Sequence, residues 1–226
     1  MDDLEHPREP APRLVFFDLD GTISRHDTLI GYVTGYALRH PWRLLGFLRV
    51  LPALAAYFAI HRDRGRLKAA LIHAVMGGAS RTNVDAWTAE YVPRLLRRGV
   101  FAEALQAIRH HREAGDHLIL MSATVDLYVP ELARVLGFDE YICTPVAWRG
   151  DRLEGSLTAP NVRDEEKARQ LKRVAVRFAG RRLVGYGNSA PDLPHLRLVD
   201  QAYLINPNGR LRKAAKDLPV EFKLWI

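Results

Sequence analysis

Leu14-Val15-Phe16-Phe17-Asp18-Leu19-Asp20-Gly21-Thr22 is the stretch that decides the fold of this chain. Four apolar residues lead into two carboxylates two positions apart, and the run stops at a glycine. Such a run reads as a buried strand with the acids at its carboxyl end. In open α/β sheets that edge is where ligands bind. Two like charges this close resist ionising together, so one carboxylate stays anionic while the other holds a proton. A nucleophile beside an acid/base suits phosphoryl transfer through an aspartyl-phosphate. The plainer alternative is a strand followed by an Asx-type turn, with Asp20 and Thr22 making local backbone bonds.

The chain has 226 residues, 48% of them apolar, enough for one large domain or a core carrying a smaller insert. Its one cysteine, Cys143, excludes an internal disulfide and fits a reducing, cytoplasmic setting. The context Tyr141-Ile142-Cys143 marks a structural buried thiol rather than a nucleophile. Met1 to Arg13 is acidic and proline-rich, lacks the apolar segment of a secretory signal, and reads as a disordered tail. The net charge of +7 is unevenly placed: residues 28–100 carry 11 Lys/Arg against 3 Asp/Glu, and the remainder is close to neutral. A basic module suggests anionic partners, although an arginine-rich solvated surface would look the same. No finger spacing or interleaved aromatic-basic motif points to nucleic acid, so none is expected as a partner.

From residue 28 to 100 the pattern is helical, with pieces at 29–40, 43–60, 66–76 and 84–97. Gly77-Gly78 acts as a stop and Thr82-Asn83 as a cap. A helix over 101–113, ended by Gly115, follows. Strands and helices then alternate: strands at 117–121, 141–144, 182–185 and 202–205, helices at 128–136, 163–178 and 193–198. A hairpin of 147–150 with 153–157 completes the pattern. The expected fold is α/β: a Rossmann-like parallel sheet with helices on both faces, built from 14–27 and 101–226. An all-helical cap, 28–100, is inserted after the first strand and would sit over the sheet's carboxyl edge.

Within the cap, 14 of the 17 residues from Leu44 to Ile60 are apolar, with Arg49 the only charge and Pro52 an expected break. The favoured reading is a core helix of the cap, because the run is marginal in length for a bilayer span. The alternative is an interfacial segment, since Arg39, Trp42 and Arg43 precede it and Arg62, Arg64 and Arg66 follow it.

Three later segments bear on the acid pair. His117 to Met121 is a strand ending in Ser122-Ala123-Thr124, where the Ser122 hydroxyl and the backbone N–H groups from Ala123 onward suit phosphoryl oxygens. Lys167 follows Asp164-Glu165-Glu166 in the first turn of a helix, where a cation opposes the helix dipole. That placement means either a salt bridge to its acidic neighbours or a functional charge. In Gly185-Tyr186-Gly187-Asn188-Ser189-Ala190-Pro191-Asp192, Asn188 and Asp192 stand four apart after a strand. Their oxygens suit one Mg²⁺, or simply cap a turn that starts a helix at Pro191.

Together these segments resemble the haloacid dehalogenase superfamily of phosphatases. The order matches: Asp-x-Asp-Gly-Thr, a strand-end Ser, a Lys, then Gly-[Asp/Asn]-x-x-x-Asp. The likeness covers residues 14 to about 208, and the first motif is the specific one. A helical insert straight after it resembles the phosphoserine-phosphatase branch, and the apolar basic cap is most similar to the phosphatidylglycerophosphatase C group. The resemblance implies Asp18 as nucleophile and metal ligand. It implies Asp20 as acid/base and carbonyl ligand, and Thr22 as the residue that orients Asp20. Ser122 and Ala123 would bind the phosphoryl group, Lys167 would offset its charge, Asn188 would ligate the metal and Asp192 would support that site. Asp27 falls where the phosphoserine enzymes place an acid that reads the substrate amine; an ordinary helix N-cap is the competing reading. Asn188 departs from the family's usual aspartate, which implies weaker Mg²⁺ binding. The implied function is a Mg²⁺-dependent phosphomonoesterase acting on a lipid phosphate head group or a small organic phosphate, peripheral at an anionic membrane in the first case. A non-catalytic phosphate-binding relative is the remaining alternative, supported only by Asn188.

Overall fold

The computed structural model describes residues 11–61 and 63–226, and of residues 60 and 61 only the backbone. Residues 1–10 of the expected tail lie outside the described residues. Arg13, assigned to that tail from sequence, belongs to the fold instead. Its backbone N–H donates to Asp116 Oδ1 at 2.7 Å and its guanidinium pairs with Asp116 Oδ2 at 2.7 Å.

The strands are β1 (Leu14–Phe17), β2 (His117–Val125), β3 (Glu140–Thr144), β4 (Val146–Arg149), β5 (Arg152–Leu157), β6 (Leu183–Gly187), β7 (Gln201–Ile205) and β8 (Val220–Lys223). Six of them form one sheet in the order β3-β2-β1-β6-β7-β8, with every pairing parallel. Strands β4 and β5 form a separate antiparallel hairpin. Alternation along β1 sends Val15 and Phe17 to one face and Leu14 and Phe16 to the other, and all four are fully buried. The first face is covered by α5 (Ala102–Glu113) and α6 (Val129–Leu136) through Ala104, Ile108 and Leu132; the second by α7 (Glu165–Arg177) through Leu171 and Val174. This is the α/β class expected from the alternating pattern. The chain leaves β1 to build β2 and β3 on one side, then crosses to β6, β7 and β8 on the other. That reversal opens a crevice at the carboxyl end of β1, and Asp18 and Asp20 stand there.

Between β1 and α5 lie α1 (Thr28–Arg39), α2 (Gly46–Ala56), α3 (Arg64–Met76) and α4 (Arg81–Arg98). The N-cap of α4 is Ser80, whose hydroxyl accepts from Asn83 N–H, rather than the expected Thr82-Asn83. Pro52 does not break α2, which runs on to Ala56 and into a π-helical turn at Tyr57–His61. Pro52 and Leu48 are both exposed, so the proline's missing N–H, which would have met the Leu48 carbonyl, falls on the outer side of the helix.

The core-helix reading of Leu44 to Ile60 is overturned. Only Gly46 and Val50 of α2 are buried, and they press on α3: a Cβ at Gly46 would lie 2.3 Å from the Ala74 carbonyl oxygen. The outer side exposes Trp42 (68%), Leu45 (65%), Leu48 (63%), Leu51 (55%) and Phe58 (72%). Pro41–Ala59 is long and apolar enough to cross a membrane by length and composition alone.

Candidate active site

Both acids lie just beyond β1, where the Asp18 N–H bonds to the Tyr186 carbonyl of β6 at 3.0 Å. Lys167, in the first turn of α7, reaches across the crevice between two carboxylates. Its Nζ donates to Asp18 Oδ1 at 2.5 Å and to Asp192 Oδ1 at 2.6 Å, and all three side chains are buried. The salt bridge to neighbouring glutamates is therefore excluded; Glu166 pairs with Arg169 instead. Asp192 Oδ2 accepts from the N–H groups of Asn188 and Ser189 and from the Ser189 hydroxyl, at 2.7–3.1 Å. Asp192 thus ties the lysine to the Asn188 loop. With one oxygen on Lys167 and the other held by three donors, Asp192 supports the Asn188 loop.

The Thr22 hydroxyl donates to Asp18 Oδ2 at 3.1 Å, not to Asp20 as the resemblance implied. Asp20 is oriented by a residue the sequence reading passed over. Thr28 donates to Asp20 Oδ1 through both its backbone N–H and its hydroxyl, each at 2.7 Å. The carboxyl that should be nearer in sequence to Thr22 is reached first by the N-terminal residue of α1. Asp27 is the N-cap of α1, its Oδ1 accepting from Ile30 N–H at 3.1 Å, and it also lines the cavity described below.

Ser122 is 1% exposed and lies inside β2, which continues to Val125, so the expected strand end at Ser122 is corrected. Its hydroxyl accepts from Thr124 N–H at 3.1 Å, and the cavity wall there is Ala123 and Thr124 rather than Ser122. The Ala123 carbonyl accepts from Thr144 Oγ1 at 3.0 Å and from Lys68 of α3. Lys68 also donates to Asn161 Oδ1 at 2.8 Å. This lysine was invisible in sequence because it sits in a basic helix with no motif around it. Cys143 is half-buried, and burial pushes its thiol up to about 12, which suits an inert side chain.

These groups line a cavity of about 860 Å³. Asp18, Asp20, Lys167, Asn188 and Asp192 form its floor, and Phe47, Val50, Leu54, Tyr57 and Phe58 supply an apolar wall on the α2 side. Burial pushes Asp18 upward, as do the neighbouring Asp192 and Asp20, while Lys167 pulls it down. Burial also lifts Asp20 to about 6, aided by Asp27 and opposed by the Thr28 bonds and Lys68. Lys68 is driven down to about 8 by its own burial, against the pull of Asp20 and Asp27.

Asp18 and Asp192 share the buried ammonium of Lys167, while Asp20 and Asp27 face Lys68, so four carboxylates meet two lysines here and the excess negative charge favours a divalent cation. Among the described residues no three Asp, Glu, His or Cys side chains converge as a metal cluster. The donors that fit a hard ion are the Asp18 carboxylate, the Asp20 carbonyl and the amide oxygen of Asn188. Asn188 packs against Gly21, which needs to be glycine: its φ is +82°, and a Cβ there would meet the Asn188 amide at 1.9 Å.

The haloacid dehalogenase-like hydrolase family model matches residues 15–197. Protein CicA of Caulobacter vibrioides is 33% identical over 198 residues, covering 84% of each chain. Phosphoserine phosphatase SerB1 of Mycobacterium tuberculosis is 26% identical, covering 89% of this chain and 67% of that one. Among solved structures, a Bordetella pertussis protein described as of unknown function superposes with a TM-score of 0.77 at 23% identity, covering 93% and 97% of the two chains. A probable phosphoserine phosphatase from Vibrio cholerae gives 0.70 at 14% identity, covering 91% and 60%. The chain belongs to the haloacid dehalogenase-like hydrolases. Within that family it is an enzyme of the phosphatase kind.

Proposed function

We propose that this enzyme is a Mg²⁺-dependent phosphomonoesterase working through an aspartyl-phosphate on Asp18. The observation that carries the reading is the Lys167 bridge, which fixes the Asp18 carboxylate at the sheet's switch point while Thr28 holds Asp20 separately. Asp18 attacks phosphorus in line; the bond from Asp18 oxygen to phosphorus forms as the ester P–O bond breaks. Asp20 gives its proton to the departing alkoxide oxygen, then takes one from the water that cleaves the acyl-phosphate. Lys167 offsets the charge of Asp18 and of the phosphoryl oxygens. Ala123 and Thr124 stand in the cavity wall on the side where the phosphoryl oxygens would sit. A bound Mg²⁺ would supply charge neutralisation at the phosphoryl oxygens, and electrostatic preorganisation of this kind does most of the work in phosphoryl transfer.

The substrate reading we favour is a lipid phosphate of the phosphatidylglycerophosphate type. The apolar ridge Trp42, Leu45, Leu48 and Leu51 is exposed on and just before α2, whose Phe47, Val50 and Leu54 line the cavity, and Phe58 just after α2 is both exposed and part of the cavity wall. Arg39, Arg64 and Arg66 flank it and Arg49 lies within it, as suits an anionic surface. One face of α2 packs on α3 and carries Gly46 and Val50, so the segment lies along a membrane rather than crossing it. The corresponding location is cytoplasmic, at the inner face of the membrane. A second reading, a small monoester of the phosphoserine kind, is favoured by Asp27 and Lys68 in the cavity, an acid and a base placed to meet a charged alcohol.

Phosphate release from a monoester panel with Mg²⁺, with lipid substrates presented in vesicles, separates the two. Flotation with anionic vesicles and preference for the lipid ester is the expected result. Absence of vesicle binding overturns the lipid reading, and no release from any monoester overturns the phosphatase.

A further inference from the structure

Beyond the Thr28 hydroxyl that holds Asp20 runs a line of hydroxyls through Tyr128 to Thr124, and Tyr128 has so far been given no role. The Thr28 Oγ1 that bonds Asp20 lies 2.7 Å from the Tyr128 hydroxyl, and that hydroxyl lies 2.8 Å from Thr124 Oγ1. Thr28 and Thr124 are each 2% exposed and Tyr128 is fully buried. The Tyr128 ring is clamped by Tyr32, stacked with centroids 4.5 Å apart, and by the edge of Tyr91 at 5.5 Å. Tyr91 also fixes Thr28 from its far side, donating to the Thr28 carbonyl at 2.7 Å.

We propose that Thr28 and Tyr128 are positioning residues that aim the Asp20 carboxyl at the leaving-group oxygen; the inference rests on the phosphatase reading above. Thr28 has a single hydroxyl proton. When it is given to Asp20 Oδ1, the Tyr128 hydroxyl donates to Thr28 Oγ1 and the Thr124 hydroxyl donates to Tyr128. The direction of the line is then set along its length. Asp20 Oδ1 is filled by two donors, the Thr28 N–H and hydroxyl, and Oδ2 is the oxygen left to exchange a proton with substrate. Thr28 opens α1, Tyr128 precedes α6 and Thr124 lies in β2. The acid/base is therefore aimed by a joint between the helical insert and the sheet, not by its own loop.

Single-turnover phosphoryl transfer with Mg²⁺ tests this, using 4-nitrophenyl phosphate, whose leaving group departs without a proton, and glycerol 1-phosphate, whose alkoxide needs one. The enzymes compared are wild type, Thr28→Val, Thr28→Ser and Tyr128→Phe. The expected loss in Thr28→Val and Tyr128→Phe is about tenfold or more larger for the alkyl ester than for the nitrophenyl ester. Thr28→Ser, which restores the hydroxyl, recovers the alkyl ester rate. Equal losses on both esters, or a Thr28→Ser enzyme as slow as Thr28→Val, would overturn the positioning role, since a general loosening of the fold slows both substrates alike. A wild type that is inactive on both esters and also on the lipid ester presented in vesicles would instead remove the phosphatase reading beneath it.

Discussion

Asp20→Asn should make the protein more stable at neutral pH while disabling it. In the folded chain burial and the nearby Asp27 carboxylate hold the Asp20 carboxyl at about 6, whereas in the unfolded chain it titrates at about 3.9. The folded state keeps this proton longer. Its contribution to stability is therefore complete below the unfolded value and is lost as pH rises through about 6. Two pH units correspond to about 3 kcal/mol; because Asp20 still meets water in the cavity, roughly 2 kcal/mol is the better figure. Asn keeps an oxygen to accept from Thr28 and carries no charge to bury. Melting curves for both proteins from pH 4 to 8, without divalent ions, should coincide near pH 4 and part between pH 4 and 6. The gap should then stay level, with the variant higher by about 4–8 °C. A variant of equal or lower Tm at pH 8 would refute the reasoning, because ionised Asp20 would then cost nothing.

Other consequences are open to test. Asn188→Asp should raise Mg²⁺ affinity about tenfold or more, read by titration calorimetry, and should lower the metal-free Tm by adding a further carboxylate to the site. Leu48→Ser with Leu51→Ser should change stability by no more than about 0.5 kcal/mol, since both side chains are exposed, yet reduce flotation with anionic vesicles. Burial pushes Asp116 up, but bonds from Arg13 and His111 win and hold its carboxyl below the ordinary value. Its stabilisation is therefore present above about pH 4 and lost as pH falls further. Asp116→Asn should melt lower than wild type at pH 7 and converge with it in acid.

The parts of the site legible in the sequence are those carried by contiguous residues at strand ends. Asp18, Asp20, Lys167 and Asn188 each close or open an element whose apolar pattern is plain, and the parallel sheet sets them around one crevice. What stayed hidden depended on direction rather than identity. Thr22 lies closer to Asp20 in the chain than Thr28 does, but the turn at Gly21 sends its hydroxyl to Asp18. Composition showed that Leu44 to Ile60 is apolar but not that most of it faces outward, because the small Gly46 lets α2 lie close on α3 along one narrow seam. Strand β8 escaped notice because Val220–Lys223 is a short edge strand with alternating charges, which resembles a loop in sequence. Lys68 depends on a helix meeting a strand end 55 residues away, a contact no local pattern encodes.

The most direct test of the account is to trap the covalent intermediate. Acid quenching of the enzyme within one turnover of a radiolabelled monoester with Mg²⁺, followed by peptide mapping, should place one phosphoryl group on Asp18 and none in Asp18→Asn. Label on another residue, or turnover by Asp18→Asn at the wild-type rate, would contradict it.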